Sequence, residues 1–244
     1  MTRKPMRREQ VMFCLSDRDL LLRAFCQRHG IPVGETLPWD SLPVPARMLD
    51  DVLTDLGYRI VLMPLHDHIL GRCDFERRRI LVNTRIPEIT LKNTKVEGVV
   101  NFTKAHELGH VRFPDHERQV REEAGDFCTP SLFGEPSGER AVIVCNREGQ
   151  GPRPPREYEA DYYASQFLVP SEQLLCCDAA RRIETAWREQ QTVPQGRLWA
   201  EVLSLADHFK VTGTLMVRRL VERGWIVRHQ DRAIELSPEV ELFA

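Results

Sequence analysis

The pentapeptide His106-Glu107-Leu108-Gly109-His110 constrains this chain more than any other stretch. On an α-helix two histidines four residues apart share one face and lie one turn apart, close enough to hold one ion. The flanking residues support a helix there. Thr94-Lys-Val-Glu97 has the form of a capping box, with a hydroxyl at the N-cap and a carboxylate three residues on. Val96, Val99, Val100 and Thr103 recur at helical spacing and make the segment amphipathic, and Pro114 sets its end near Arg112. On that helix the two imidazoles can hold one Zn²⁺ at ~2.0–2.1 Å. Glu107 lies beside them, placed to act on a water rather than on the metal.

A catalytic zinc site needs a third protein ligand. A second helix, opened by Pro154-Pro155 and ended by Pro170, offers Glu157, Glu159 and Asp161. Ala160, Tyr163, Ala164, Phe167 and Leu168 form its apolar face. At ~100° per residue, Glu157 lies ~50° from the centre of that face, Asp161 ~90° and Glu159 ~110°. Glu157 is therefore the expected ligand. Asp161, one turn on, is placed to accept a hydrogen bond from the free ring nitrogen of a liganding histidine. Glu159 reads as a solvated carboxylate.

Elsewhere the chain reads as mixed α and β. Leu20 to Phe25 is apolar and periodic, and a proline-studded segment (Pro32, Pro38, Pro43, Pro45) reads as a wrap or linker. Asp50 to Leu56 suggests a short helix. Arg59 to Met63, Gly71 to Phe75 and Arg79 to Val82 suggest strands, with Arg77, Arg78 and Arg79 as a solvated strand start. A peptide could add to a sheet edge near Arg79 to Val82. Residues 115–153 read as a charged loop holding one hairpin arm, Ala141 to Cys145, and Ser171 to about Glu189 as one helix. Leu198 to Phe209, a turn at Lys210-Val211-Thr212, Gly213 to Arg223, then strands at Trp225 to Val227 and Ala233 to Leu236, follow a winged-helix-like order.

The two motifs together, AHELGH and EYEADYYASQFLVP, resemble the ImmA/IrrE family of zinc metallopeptidases. RRRILVN resembles the strand and Asn that precede the active-site helix in that family. The resemblance spans roughly residues 50–225. It implies Zn²⁺ held by His106, His110 and Glu157, with Glu107 as general base. It further implies an α+β fold with a zincin-like core, a small sheet plus the active-site helix and the Glu helix. On this reading 1–49 is an N-terminal helical or wrap segment. Residues 50–190 are the metallopeptidase core with an insert at about 115–153, and 191–244 a helix-turn-helix-like C-terminal unit. The implied substrate is a protein, a helix-turn-helix repressor of a mobile element, prophage or stress response. Tyr162, Tyr163, His116, His66 and His68 stand as oxyanion-stabilising candidates beside plain packing or surface roles.

A second class of function is a DNA-binding regulator built on residues 197–236, with Thr212, Thr214, Arg218 and Arg219 at contact positions. Charge argues for packing or substrate docking there, because residues 176–244 are neutral and the whole chain carries −2. A third is a toxin–antitoxin partner with a structural zinc, although the general base Glu107 is present. No apolar run approaches the ~20 residues of a spanning helix. Seven cysteines, an odd number with no C-x-x-C pair, read as reduced thiols in a cytoplasm. All seven are expected to be free, and a protected pair of Cys128 with Cys145 would instead mark a redox switch in the insert.

Overall fold

A computed structural model describes residues 8–34, 43–44, 46–66, 69–90, 94–126, 142–146, 154–230 and 233–238. The architecture is mixed α+β and mostly helical. The chain begins with α1 (Arg8–Arg28), α2 (Ala46–Asp55), β1 (Arg59–Met63), β2 (Ile69–Asp74), β3 (Arg79–Asn83) and α3 (Ile86–Ile89). The helix bearing the two histidines, α4 (Val96–Arg112), follows, then α5 (Pro114–Asp126), β4 (Val142–Asn146) and α6 (Pro155–Leu168). The remainder is α7 (Ser171–Cys176), α8 (Asp178–Arg188), α9 (Gln195–His208), α10 (Gly213–Glu222), β5 (Ile226–Arg228) and β6 (Ile234–Leu236).

The first four strands form a sheet in the order β1-β3-β2-β4, with β1 parallel to β3 and the other pairs antiparallel. This corrects one expectation. Arg79 to Val82 lies in β3, which is paired on both sides, so its backbone groups are consumed and it offers no edge. Asn83 knits the connection between β1 and β2: its Oδ1 accepts from Leu65 N at 3.0 Å, and its Nδ2 donates to Ile69 O at 2.7 Å. The Arg77–Arg79 turn is exposed at its tip, and Arg79 pairs with Asp74 at 2.9 Å.

Helix α4 runs to Arg112, as Pro114 predicts, but its N-terminus differs from the sequence reading. Lys95 is the N-cap and no side chain caps the helix, so the Thr94/Glu97 box is not formed. Nor is the helix simply amphipathic. From Asn101 to His110 every residue except Phe102 is buried, because α2, α5, α6 and the sheet surround it. Two further expectations fail. Residues 114–126 form α5, not loop, with Pro114 at the first position, where its missing N–H costs nothing. The segment after Pro170 is two helices, broken where Cys177 turns extended (φ −84, ψ 133). Much of the proline segment and of the insert, Cys128 included, lies outside the described residues.

The C-terminal unit follows the expected order: α9, a turn, α10, then the antiparallel β5–β6 hairpin. It sits on the start of α4. A Cβ at Gly98 would lie 2.6 Å from the Val211 carbonyl carbon, so only glycine permits that approach. Asn101 Nδ2 donates to Lys210 O at 3.0 Å across the same joint. One buried apolar cluster includes Leu22 of α1, Leu49 of α2, Ile80 of β3, Leu108 of α4, Phe167 of α6 and Trp225 beside the hairpin. No described helix is long and apolar enough to cross a membrane.

Candidate metal centre

Helices α4 and α6 pack closely because residue 109 is glycine. A Cβ there would lie 3.0 Å from Ala160 Cα. The approach brings Glu157, in the first turn of α6, onto the histidine face of α4. His106 Nε2 and His110 Nε2 are 3.0 Å apart. Glu157 Oε2 lies 3.3 Å from the first, and Oε1 3.5 Å from the second. Three donors at tetrahedral corners, each ~2.0–2.1 Å from a common centre, are ~3.3–3.4 Å apart. All three side chains are buried.

Hydrogen bonding sets which nitrogens are bare. Asp161 Oδ1 lies 2.9 Å from His106 Nδ1. An ionised carboxylate only accepts, so Nδ1 carries the proton and Nε2 presents a lone pair. His116 on α5 plays the matching part for His110. Its Nε2 lies 2.8 Å from Glu159 Oε2, and its Nδ1 lies 2.9 Å from His110 Nδ1. Two lone pairs therefore face each other at 3.0 Å with a carboxylate alongside. That arrangement repels itself unless a cation lies between, and two imidazoles with one carboxylate are a zinc donor set.

Glu107 is fully buried, and neither carboxylate oxygen has a hydrogen-bond partner. Burying an unpaired carboxylate is costly. Desolvation pushes its pKa up to about 8, against the pull of His106 and with the push of Glu157. Room for it comes from β2. A Cβ at Gly71 would lie 2.8 Å from Glu107 Oε1 and 2.5 Å from Thr103 Cγ2. A cation among His106, His110 and Glu157 would be the counter-charge this group lacks, which is the fit expected of the site.

The remaining candidates fall differently. His116 joins the site, but both its nitrogens are engaged in backing His110, which leaves it unsuited to an oxyanion. Glu159 is not solvated; it holds His116 with one oxygen and accepts from Gln10 of α1 with the other. The Tyr163 hydroxyl donates to Asp17 at 2.6 Å, and burial raises its pKa well above the usual phenol range. Asp17 also binds Arg112, fastening α1 to α4. Tyr162 is half-buried and His66 exposed; His68 lies outside the described residues.

In the C-terminal unit Arg219 is 1% exposed, donating to Val169 O and Gln166 Oε1 at 3.0 Å each. Arg218 reaches Asp161 Oδ2 at 3.3 Å. Thr212 Oγ1 caps α10 by accepting from Leu215 N. Of the four residues considered for DNA contact, only Thr214 is exposed.

The sequence reading did not anticipate the Glu159–His116–His110 chain. Its one local signal was Pro114, which marks a helix start as readily as a stop. Cys14, Cys26, Cys73, Cys176 and Cys177 are free thiols; the Cys145 side chain and Cys128 lie outside the description. No protein-family model matches the chain, and no curated protein matches it.

Proposed function

We propose that this chain is a zinc-dependent endopeptidase with a zincin-like core, of the kind its motifs resemble in the ImmA/IrrE family. His106, His110 and Glu157 hold the metal and Glu107 is the general base. The observation that carries the reading is the meeting of three donors at 3.0, 3.3 and 3.5 Å beside a buried, unpartnered Glu107. Zinc held there would supply Lewis acidity toward a scissile carbonyl and toward the attacking water. Glu107 takes the proton of the attacking water and passes it to the leaving amine. Asp161 holds the His106 ring by its Nδ1, which leaves the Nε2 lone pair to face a bound metal.

The proposed substrate is a separate helix-turn-helix repressor in the cytoplasm. The C-terminal unit is the docking surface rather than a DNA reader, since Arg219 is spent inside the protein. The test is co-expression with candidate repressors, comparing wild type with Glu107→Gln. Wild type shortens a repressor at one site, whereas the variant keeps zinc and cleaves nothing. Equal cleavage by both would place the chemistry elsewhere. Nanomolar duplex binding at physiological salt with no cleavage would favour the regulator reading.

A further inference from the structure

The Nδ1 atoms of the two histidines meet different groups. Asp161 contacts His106 directly. His110 Nδ1 instead meets a second imidazole, His116, which Glu159 holds in turn. We propose that Glu159 and His116 form a hydrogen-bond relay of fixed direction, which keeps the His110 proton on Nδ1 and its Nε2 lone pair turned to the metal. This rests on the metal reading above and adds two positioning residues to it.

The direction follows from donor and acceptor chemistry. Glu159 Oε2 accepts, so His116 carries its proton on Nε2 and its Nδ1 is bare. A bare Nδ1 at 2.9 Å from His110 Nδ1 requires a proton on the His110 side. Reversing the chain would put a proton on His110 Nε2, where the metal binds. Only an acceptor-only group at 159 forbids that reversal. Three elements must hold register for the relay to exist. His110 lies on α4, His116 on α5 and Glu159 on α6, with Gln10 of α1 donating to the other Glu159 oxygen. His116 is 0% exposed and its ring stacks on Phe113 at 4.9 Å between centroids, so it is fixed in place.

Glu159→Gln tests the direction, because an amide donates as well as accepts. Imidazole ¹⁵N spectra of the metal-free, full-length protein report which nitrogen of each ring bears the proton. In wild type His110 carries a proton on Nδ1, and His116 carries its proton on Nε2 with Nδ1 bare. In Glu159→Gln the two forms mix, and zinc affinity, measured by chelator competition, falls roughly 10–100-fold. His116→Asn, which keeps an acceptor near the position of Nδ1, retains most of the affinity, and His116→Phe does not. A purely packing role would move neither the nitrogen signals nor the ranking of Asn over Phe. The relay is overturned if His110 stays protonated on Nδ1 in Glu159→Gln and zinc affinity is unchanged there and in His116→Phe. If wild type takes up no zinc, the metal reading fails, and the nitrogen signals still decide the relay.

Discussion

Two helix pairs in this molecule are held together by opposite means. Between α9 and α10 the buried residues are almost all hydrocarbon: Leu198, Val202, Leu205 and Ala206 against Leu215, Met216, Val217 and Leu220, with Arg219 satisfied by carbonyl, amide and carboxylate groups. On α4 and α6 the buried set includes His106, Glu107, His110, Glu157, Asp161, Ser165 and Gln166. Hydrocarbon pairs are stabilised by leaving water, at about 25 cal/mol per Å². Buried polar groups gain little over hydration and are costly when one partner is missing. The first pair is built for stability. The second carries a stability cost concentrated at Glu107, which fits the chemistry proposed for it.

The widest gap between the regions should appear on removing a ligand. His106→Ala or His110→Ala should abolish stoichiometric zinc binding, read by metal analysis, while an apolar truncation between α9 and α10 such as Val202→Ala should leave it unchanged. Full occupancy in either histidine variant would end the metal assignment. Glu157→Ala should lose more affinity than Glu159→Gln, as a ligand must outweigh a group acting through two rings. The reverse order would exchange their roles.

Next in size are the two close approaches. Gly109→Ala places a Cβ 3.0 Å from Ala160 Cα, and Gly98→Ala places one 2.6 Å from the Val211 carbonyl carbon. Each should cost about 1–3 kcal/mol in denaturant unfolding. Only Gly109→Ala should also weaken zinc, because it separates the helices that bear the ligands. Equal zinc loss in both would mean that the C-terminal joint shapes the site too.

Smallest are the caps. Thr212→Ala should destabilise by about 0.5–2 kcal/mol, since its hydroxyl accepts from Leu215 N. Thr94→Ala should stay within about 0.5 kcal/mol, because α4 has no side-chain cap. A larger effect at Thr94 would show the capping box forming in solution.

Local chemistry made several features legible in the sequence. The i, i+4 spacing places His106 and His110 on one helical face whatever the rest of the chain does. The angle on α6 turns Glu157 toward the core and leaves Asp161 one turn behind it. The alternation of apolar and turn residues located β1, β2 and β3, and the order of the C-terminal unit. These are short-range patterns, set by helical and strand periods.

Long-range packing decided the rest. Glu159 looks solvated by angle, and became a partner only when α5 and α1 closed over it. α5 itself is polar almost throughout, so no apolar period announced it. Thr94 and Glu97 matched a capping box, but the helix takes Lys95 as its N-cap and leaves the box unformed. Arg79 to Val82 resembled an edge until β1 paired beside it. The sequence alone determined which side chains meet in the His106, His110 and Glu157 cluster. The tertiary structure decided which groups hold those side chains in place, because a hydrogen-bond partner 43 residues distant (His116 to Glu159) is chosen by packing, which no local period encodes.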